Sequence, residues 1–308
     1  MPFGTVESII DLVGNTPLLH LTRFARPPLA EIYAKLEYFN PGGSIKDRAA
    51  LGMIRDAEQR GLLRSGSTII EPTAGNTGIG LALVGLARGY RVILCVPEGY
   101  SREKMKVMEA LGGEVEYVSP EAGMQGAIER AQQLRAEIKD SFVPQQFVNP
   151  ANPDFHEQTT GREIVEQMQG RIDAVVIGAG TAGTFTGVAR AVRRVNPRAL
   201  CVLVEPQGSI FGGGVPGPRR VEGIGQSQVI PENLDASLAD EIIMITDDEA
   251  FATTRRLAQT EGVLAGGSSG AAAAAARRVA ERLGPNKRVV TIFPDGAERY
   301  MSQGIFDS

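Results

Sequence analysis

The sequence predicts an α/β protein made of two parallel-sheet units. Strand-length apolar runs alternate with longer helical patterns along almost the whole chain, the signature of parallel sheets with helices on both faces. The length, 308 residues, exceeds one average domain and suits two. The series is interrupted once, at NPANP (149–153), where a seam between units is natural. These observations predict two α/β units that meet at this seam.

The elements follow in order. EIYAKLEYF (31–39) reads as a strand and IKDRAALGMIRDAEQRG (45–61) as a helix. STIIEP (67–72), RVILCVPE (91–98) and EVEYVS (114–119) are strands. Each is followed by a helical pattern: TGIGLALVGLARG (77–89), SREKMKVMEALGG (101–113) and MQGAIERAQQLRAEIKD (124–140). SFVPQQFV (141–148) closes the first series. A helix ending in EIVEQMQG (163–170) opens the second. Strands DAVVIG (173–178) and ALCVLVEP (199–206) flank helix FTGVARAVRRV (185–195), and a Gly-Pro-rich loop runs from Gly208 to Pro218. Strand EIIMIT (241–246), helices DDEAFATTRRLAQTEG (247–262) and SGAAAAAARRVAERLG (269–284), and strand RVVTIFPD (288–295) finish the chain.

Composition excludes several classes. Apolar residues make up 43% and charged residues 22%, as in a globular protein with a sizeable core. The net charge is −4 with both signs mixed along the chain, so neither a nucleic-acid patch nor an acidic arm is indicated. The two cysteines, Cys95 and Cys201, sit in apolar strands and read as small core hydrophobes, which fits a reducing cytoplasm. The N-terminus carries Glu7 and Asp11 and lacks the basic start of a secretory signal. No apolar run approaches the ~20 residues of a membrane helix.

Folds of this class bind ligands beyond the carboxyl ends of their strands. Three glycine-rich loops fall there. In NPGGSIKDR (40–48), Gly42 and Gly43 free the backbone, while Ser44 and Asp47 resemble a helix-capping pair. Lys46 then lies in the first helical turn, where the helix dipole disfavours an ammonium and favours an amine nucleophile. The alternative is a capped helix with an incidental lysine. The second loop, TAGNTG (73–78), offers hydroxyls, an amide and backbone N–H groups to a carboxylate or phosphate, or else is simply a helix start capped by Asn76 or Thr77. The third, GAGTAGTFTG (178–187), matches the dinucleotide fingerprint at Gly178, Gly180 and Gly183, with Glu205 near the place of a ribose-binding acid. That reading predicts an NAD-dependent oxidoreductase. Against it, Thr181, Thr184 and Thr186 suit a compact terminal phosphate, and NAD leaves the other two loops without a role. A cofactor with both an aldehyde and a phosphate monoester, pyridoxal phosphate (PLP), would use the first and third loops together.

The motifs VGNTPLLHL, KLEYFNPGGSIKDR, IEPTAGNTGIGLA, QQFVNPANP, GAGTAGTFTG, EGIG, GGSSGAA and FPDGAERY stand in this order along nearly the full length. Together they resemble the cysteine synthase / cystathionine β-synthase family of PLP enzymes, of the tryptophan synthase β-like fold (fold type II). The resemblance implies two α/β domains with PLP in the cleft between them: an N-terminal domain of residues 40–148 carrying the substrate loop, and a C-terminal domain of residues 1–39 with 149–308 carrying the phosphate-binding loop. It implies that Lys46 holds PLP as a Schiff base and later shuttles the Cα proton, and that Asn76 bonds the ring hydroxyl. By the same resemblance Thr73, Ala74, Gly75, Asn76 and Thr77, aided by Gln146, take the substrate carboxylate. Gly180, Thr181, Ala182, Gly183 and Thr184 cradle the phosphate, Ser268 faces the pyridine nitrogen, and Gly223, Ile224 and Gly225 lie near the amino-acid side. Ser268 also reads as a helix N-cap. A hydroxyl at the pyridine nitrogen weakens the electron sink and favours loss of a β-leaving group over transamination.

The implied reaction is β-replacement on O-acetyl-L-serine: acetate leaves and a thiol adds. With sulfide the product is cysteine, the commoner activity; with homocysteine it is cystathionine. Ala74 departs from the family's usual serine and removes one hydroxyl donor, and TAGNTG, SREKMKVMEALGG and GSIFGGG are similar to the homocysteine-using bacterial members. A serine or threonine dehydratase of related type is a further alternative. The resemblance also implies a homodimer and allows docking of serine acetyltransferase. No haem-binding segment is read at the N-terminus, His20 and His156 read as ordinary polar positions, and no regulatory domain pair or metal site is expected.

Overall fold

The computed structural model describes residues 4–307. In chain order its regular elements are β1 (Leu18–His20), β2 (Glu31–Leu36), α1 (Lys46–Gln59), β3 (Thr68–Pro72), α2 (Asn76–Arg88), β4 (Arg91–Pro97), α3 (Arg102–Ala110), β5 (Glu114–Val118), α4 (Gly123–Glu137), β6 (Ser141–Phe142), α5 (Ala151–His156), α6 (Arg162–Gln167), β7 (Ala174–Gly178), α7 (Gly183–Val195), β8 (Leu200–Pro206), β9 (Glu241–Ile245), α8 (Asp247–Glu261), α9 (Gly267–Leu283) and β10 (Arg288–Phe293). A π-helical turn, Glu157–Gly161, joins α5 to α6.

The chain divides into two compact units. One comprises the described residues up to Val13 together with Asn40–Ala151; the other comprises Gly14–Phe39 and the chain from Asn152 onward. This corrects the expected assignment of residues 4–13 to the C-terminal unit. Their short 3-10 helix, Ile9–Leu12, buries Ile10 and packs with α2 in the first unit. The expectation for residues 1–3 lies outside the described residues. The seam also falls three residues beyond the expected one, because Ala151 is buried with Ala49 and Met53 of α1.

The first unit carries a four-stranded sheet in the order β5-β4-β3-β6, parallel throughout. Its central strands are apolar runs because both faces are covered: Ile69, Ile70, Val92, Ile93, Leu94, Cys95 and Val96 are all buried. Helix α4 closes one face through Ala127, Ala131 and Leu134, which pack on Ile70, Ile93 and Cys95. β6 is only two residues long. Pro144 has no N–H to donate, and Gln145 turns into the left-handed region at φ 56°, so SFVPQQFV leaves the sheet after Phe142.

The second unit carries a six-stranded sheet in the order β1-β2-β10-β7-β8-β9. Only β1 runs antiparallel to its neighbour. Edge strand β9 alternates, with Ile243 and Ile245 buried and Ile242 and Met244 exposed. The alanine run Ala271–Ala276 of α9 is wholly buried, and small side chains let this helix lie close to its neighbours. A Cβ on Gly270 would come within 2.1 Å of the Ala250 carbonyl oxygen of α8, so the α8–α9 crossing requires glycine there.

Buried Lys35 on β2 explains part of the VGNTP motif. Its Nζ donates to the Thr16 carbonyl (2.6 Å) and Gln167 Oε1 (2.9 Å) and pairs with Glu163 (2.7 Å). Glu163 also accepts the Asn15 N–H at 3.0 Å, so the segment before β1 is pinned to α6. A buried charge of this kind is tolerable only with such partners.

Candidate active site

Lys46 is the first residue of α1, as expected. The capping differs from expectation. The Lys46 N–H donates to Ser44 Oγ at 3.2 Å, but the Asp47 carboxylate reaches back to the Gly42 N–H at 2.6 Å rather than to Ser44. A Cβ on Gly42 would meet Asp47 Oδ1 at 2.5 Å, so any side chain there would displace the carboxylate that closes the turn. The turn that carries Lys46 is therefore closed by its own neighbours.

In the same unit, β3 ends at Pro72 and α2 begins at Asn76. The N-cap is Gly75, not Asn76 or Thr77; it is extended (φ −122°) and offers no side chain to the helix start. α2 has no acidic residue in its first turn, so its N-terminal N–H groups present positive potential suited to a carboxylate. The Thr73 hydroxyl accepts the Gly75 N–H at 3.4 Å, and the Thr77 hydroxyl donates to Gln146 Oε1 at 2.6 Å. Thr73, Ala74, Gly75, Asn76, Thr77 and Gln146 are thus one constellation at the carboxyl end of β3.

Behind it stands Glu71, nearly inaccessible. Its carboxylate accepts the N–H groups of Gln145 (3.1 Å) and Gln146 (3.3 Å). Burial pushes its carboxyl up to about 7, against the lowering effect of those two bonds.

In the second unit, Gly178 ends β7 and Gly183 starts α7. Ala182 sits in the left-handed region (φ 62°), which curls the loop into a concavity of backbone N–H groups. A Cβ on Gly180 would lie 2.4 Å from the Gly223 carbonyl oxygen. Gly223–Gly225 pack directly on this loop: the Gly225 N–H donates to the Ala179 carbonyl at 2.7 Å, and Ile224 fills the space beside Gly178. The adjacent Gln226 Nε2 donates to the Gly180 carbonyl at 3.0 Å.

One helical face supports the threonines of the loop. Asn152 Nδ2 donates to Thr181 Oγ1 at 3.1 Å. His156, four residues on, lies 3.3 Å from Thr184 Oγ1 through Nε2 and 2.8 Å from Thr160 Oγ1 through Nδ1. Thr186 has a different task, since its hydroxyl donates to the Asn233 carbonyl at 2.7 Å. Ser268 is buried in the first turn of α9, but the N-cap is Gly266, so the N-cap reading of Ser268 is corrected.

Glu205 is engaged. It accepts the N–H groups of Phe211 (2.9 Å) and Gly212 (3.1 Å), holding the loop after β8, and is not presented to a ribose.

A family model described as "Pyridoxal-phosphate dependent enzyme" matches residues 9–295. The chain belongs to the pyridoxal-phosphate dependent enzyme family. It is 46% identical over 98% of both chains to a Bacillus subtilis protein named O-acetylserine dependent cystathionine beta-synthase. It is 44% identical to a Staphylococcus aureus cysteine synthase, over 98% of this chain and 97% of that one. Among solved structures, the O-acetylserine dependent cystathionine beta-synthase of Helicobacter pylori matches with TM-score 0.92 and 44% identity, covering 99% of this chain and 100% of that one. The cysteine synthase of Entamoeba histolytica matches with TM-score 0.95 and 35% identity, covering 100% and 93%.

The cofactor of this pyridoxal-phosphate dependent enzyme is therefore PLP, and the NAD reading is set aside. The loop geometry fits the phosphate end. Gly180 has no room for a side chain, α7 has neither a side-chain cap nor an acid in its first turn, and the Thr181 and Thr184 hydroxyls border the same turn. Such an N-terminus binds a phosphate monoester directly.

Sequence reasoning missed Glu71, Asn152, His156 and Gln226. Two signals were available. Glu71 is a carboxylate inside an apolar strand, and so must have buried partners. Asn152, His156 and Thr160 are spaced by four, on one helix face.

Proposed function

We propose that the chain catalyses β-replacement on O-acetyl-L-serine. The C–O bond to acetate breaks, a C–S bond to the incoming thiol forms at the same carbon, and the thiol proton is lost. With sulfide the enzyme is a cysteine synthase. The observation that supports the reading best is full-length likeness to proteins of both names, joined to an anion-binding helix start beside Gln146. The second reading, homocysteine to cystathionine, is favoured by the names of the Bacillus subtilis relative and the Helicobacter pylori structure.

When bound, PLP supplies an aldehyde for an amine and a ring that acidifies the substrate Cα–H bond. Lys46 Nζ is the amine that holds it and, once free, the base that takes the Cα proton and returns it at the end. Gly180–Thr184 hold the phosphate, with Asn152 and His156 orienting the Thr181 and Thr184 hydroxyls. Ser268 would serve the pyridine nitrogen, and Asn76 would serve the ring hydroxyl. The N–H groups at the start of α2, with Thr73, Thr77 and the Gln146 amide, bind the substrate carboxylate. Ala74 contributes no hydroxyl there. Gly223–Gly225, packed on the phosphate loop, would lie on the amino-acid side of the cofactor. The unit that contains Asn40–Ala151 acts as the substrate-loop domain, and the unit that contains Gly14–Phe39 and the chain from Asn152 onward acts as the phosphate domain. The enzyme works in the cytoplasm as a homodimer, and serine acetyltransferase is its candidate protein partner.

A competition assay with sulfide and homocysteine on one preparation, scoring acetate, cysteine and cystathionine, tests this. Acetate release dependent on either thiol supports the reading, and the product ratio selects the nucleophile. A keto acid formed without thiol consumption would assign a dehydratase instead.

A further inference from the structure

We infer that Glu71 is a positioning residue that sets the substrate-carboxylate site through the backbone of Gln145 and Gln146. The inference rests on the proposed reading of the α2 start as that site. Glu71 is the penultimate residue of β3, and its two carboxylate oxygens are divided between two successive donors: Gln145 N–H on Oε2 (3.1 Å) and Gln146 N–H on Oε1 (3.3 Å). Those bonds hold Gln145 at φ 56°, a conformation that a non-glycine residue adopts only when its surroundings impose it. The turn in turn aims Gln146, whose Oε1 receives the Thr77 hydroxyl at 2.6 Å. Glu71 is itself almost completely buried, in a strand whose neighbours are Ile69, Ile70, Leu94 and Cys95. A carboxylate kept in such surroundings costs stability unless it does something an apolar residue could not.

The chain uses the same device elsewhere, which makes the arrangement a built one. Glu205 is likewise followed by proline at the end of a central strand, is likewise buried, and likewise accepts two successive backbone N–H groups, from Phe211 and Gly212. There too a Glu-Pro strand end fixes a loop at the carboxyl edge of a sheet. The two sheets differ in order and size, so common strand position and common bonding point to a shared role. In the first unit that role falls on the residues around the α2 start.

The test uses holoenzyme carrying Glu71→Gln, which keeps the volume but replaces one acceptor oxygen with an NH2 that must face an N–H. Cofactor absorbance is titrated with O-acetyl-L-serine and with its methyl ester, and turnover is measured alongside. In assays above pH 7, where the Glu71 carboxyl of the wild type is mostly ionised, losing a hydrogen bond to a charged group predicts that the apparent Kd and KM for O-acetyl-L-serine rise about tenfold or more, while kcat falls by less than about threefold. Preference for the free carboxylate over the ester shrinks, while the cofactor spectrum without substrate stays as in the wild type. Unchanged KM and ester preference would overturn the inference, as would a fall in kcat alone. Should the variant not fold, amide hydrogen exchange on the wild-type holoenzyme decides. Gln145 and Gln146 amides protected like those of β3 support the inference, and exchange at the rate of an open loop overturns it. If the wild type gives no spectral response to O-acetyl-L-serine, the proposed function fails, and amide exchange still judges Glu71 as anchor of the turn.

Discussion

Lys46 opens α1 and Glu71 is buried near the end of β3. Lys46→Ala removes the amine and the base but keeps the backbone N–H that bonds Ser44 Oγ, and alanine is a better helix former. The variant should fold, lose visible absorbance, and lose turnover by about a thousandfold or more, as checked by absorption and acetate release. Glu71 gives a pH signature. Its folded carboxyl is raised from 4.5 to about 7, so between those values the folded chain holds more protons than the unfolded one. Stability should therefore fall as pH rises through that window and level off above it, by roughly 3 kcal/mol in all. Urea titrations across the window should show this slope in the wild type and a flatter one in Glu71→Gln. Lys46 was legible in the sequence because glycines and a serine frame it. Glu71 was read only as part of a strand, because its donors lie about seventy residues away and no local pattern announces them.

At the scale of the element, glycines decide how closely loops and helices approach. Gly180→Ala places a methyl against the backbone oxygen of Gly223, which has no flexible side chain to move aside. It should weaken PLP retention and cost about 1–3 kcal/mol, read by dialysis of the cofactor and by thermal melting. Gly270→Ala meets the Ala250 carbonyl at 2.1 Å and Thr254 Oγ1 at 2.2 Å, forcing α9 away from α8. It should lower the melting temperature by several degrees, in line with the same range of overpacking cost. The apolar runs made β3, β4, β7, β8 and β10 readable, since a strand buried on both faces has little choice of residue. The end of β6 was less so, because the turn at Gln145 is imposed by Glu71 from another part of the chain. The fingerprint at Gly178–Gly183 is legible as a glycine-rich turn between a strand and a helix, but NAD and PLP loops begin alike. The contacts of Glu205 and the family match separate them.

On the scale of the whole molecule, each unit presents a loop-rich edge at the carboxyl ends of its parallel strands, and on each edge a buried Glu-Pro strand end holds a loop. Alternation in the sequence announces such sheets but not their strand order, which depends on crossovers joining residues far apart. The most direct measurement is the absorption spectrum of the purified protein before and after addition of O-acetyl-L-serine. A visible band that shifts on addition, with one acetate released per site, is the predicted result. A colourless protein, or a coloured one whose band is unmoved by the amino acid, would contradict the account.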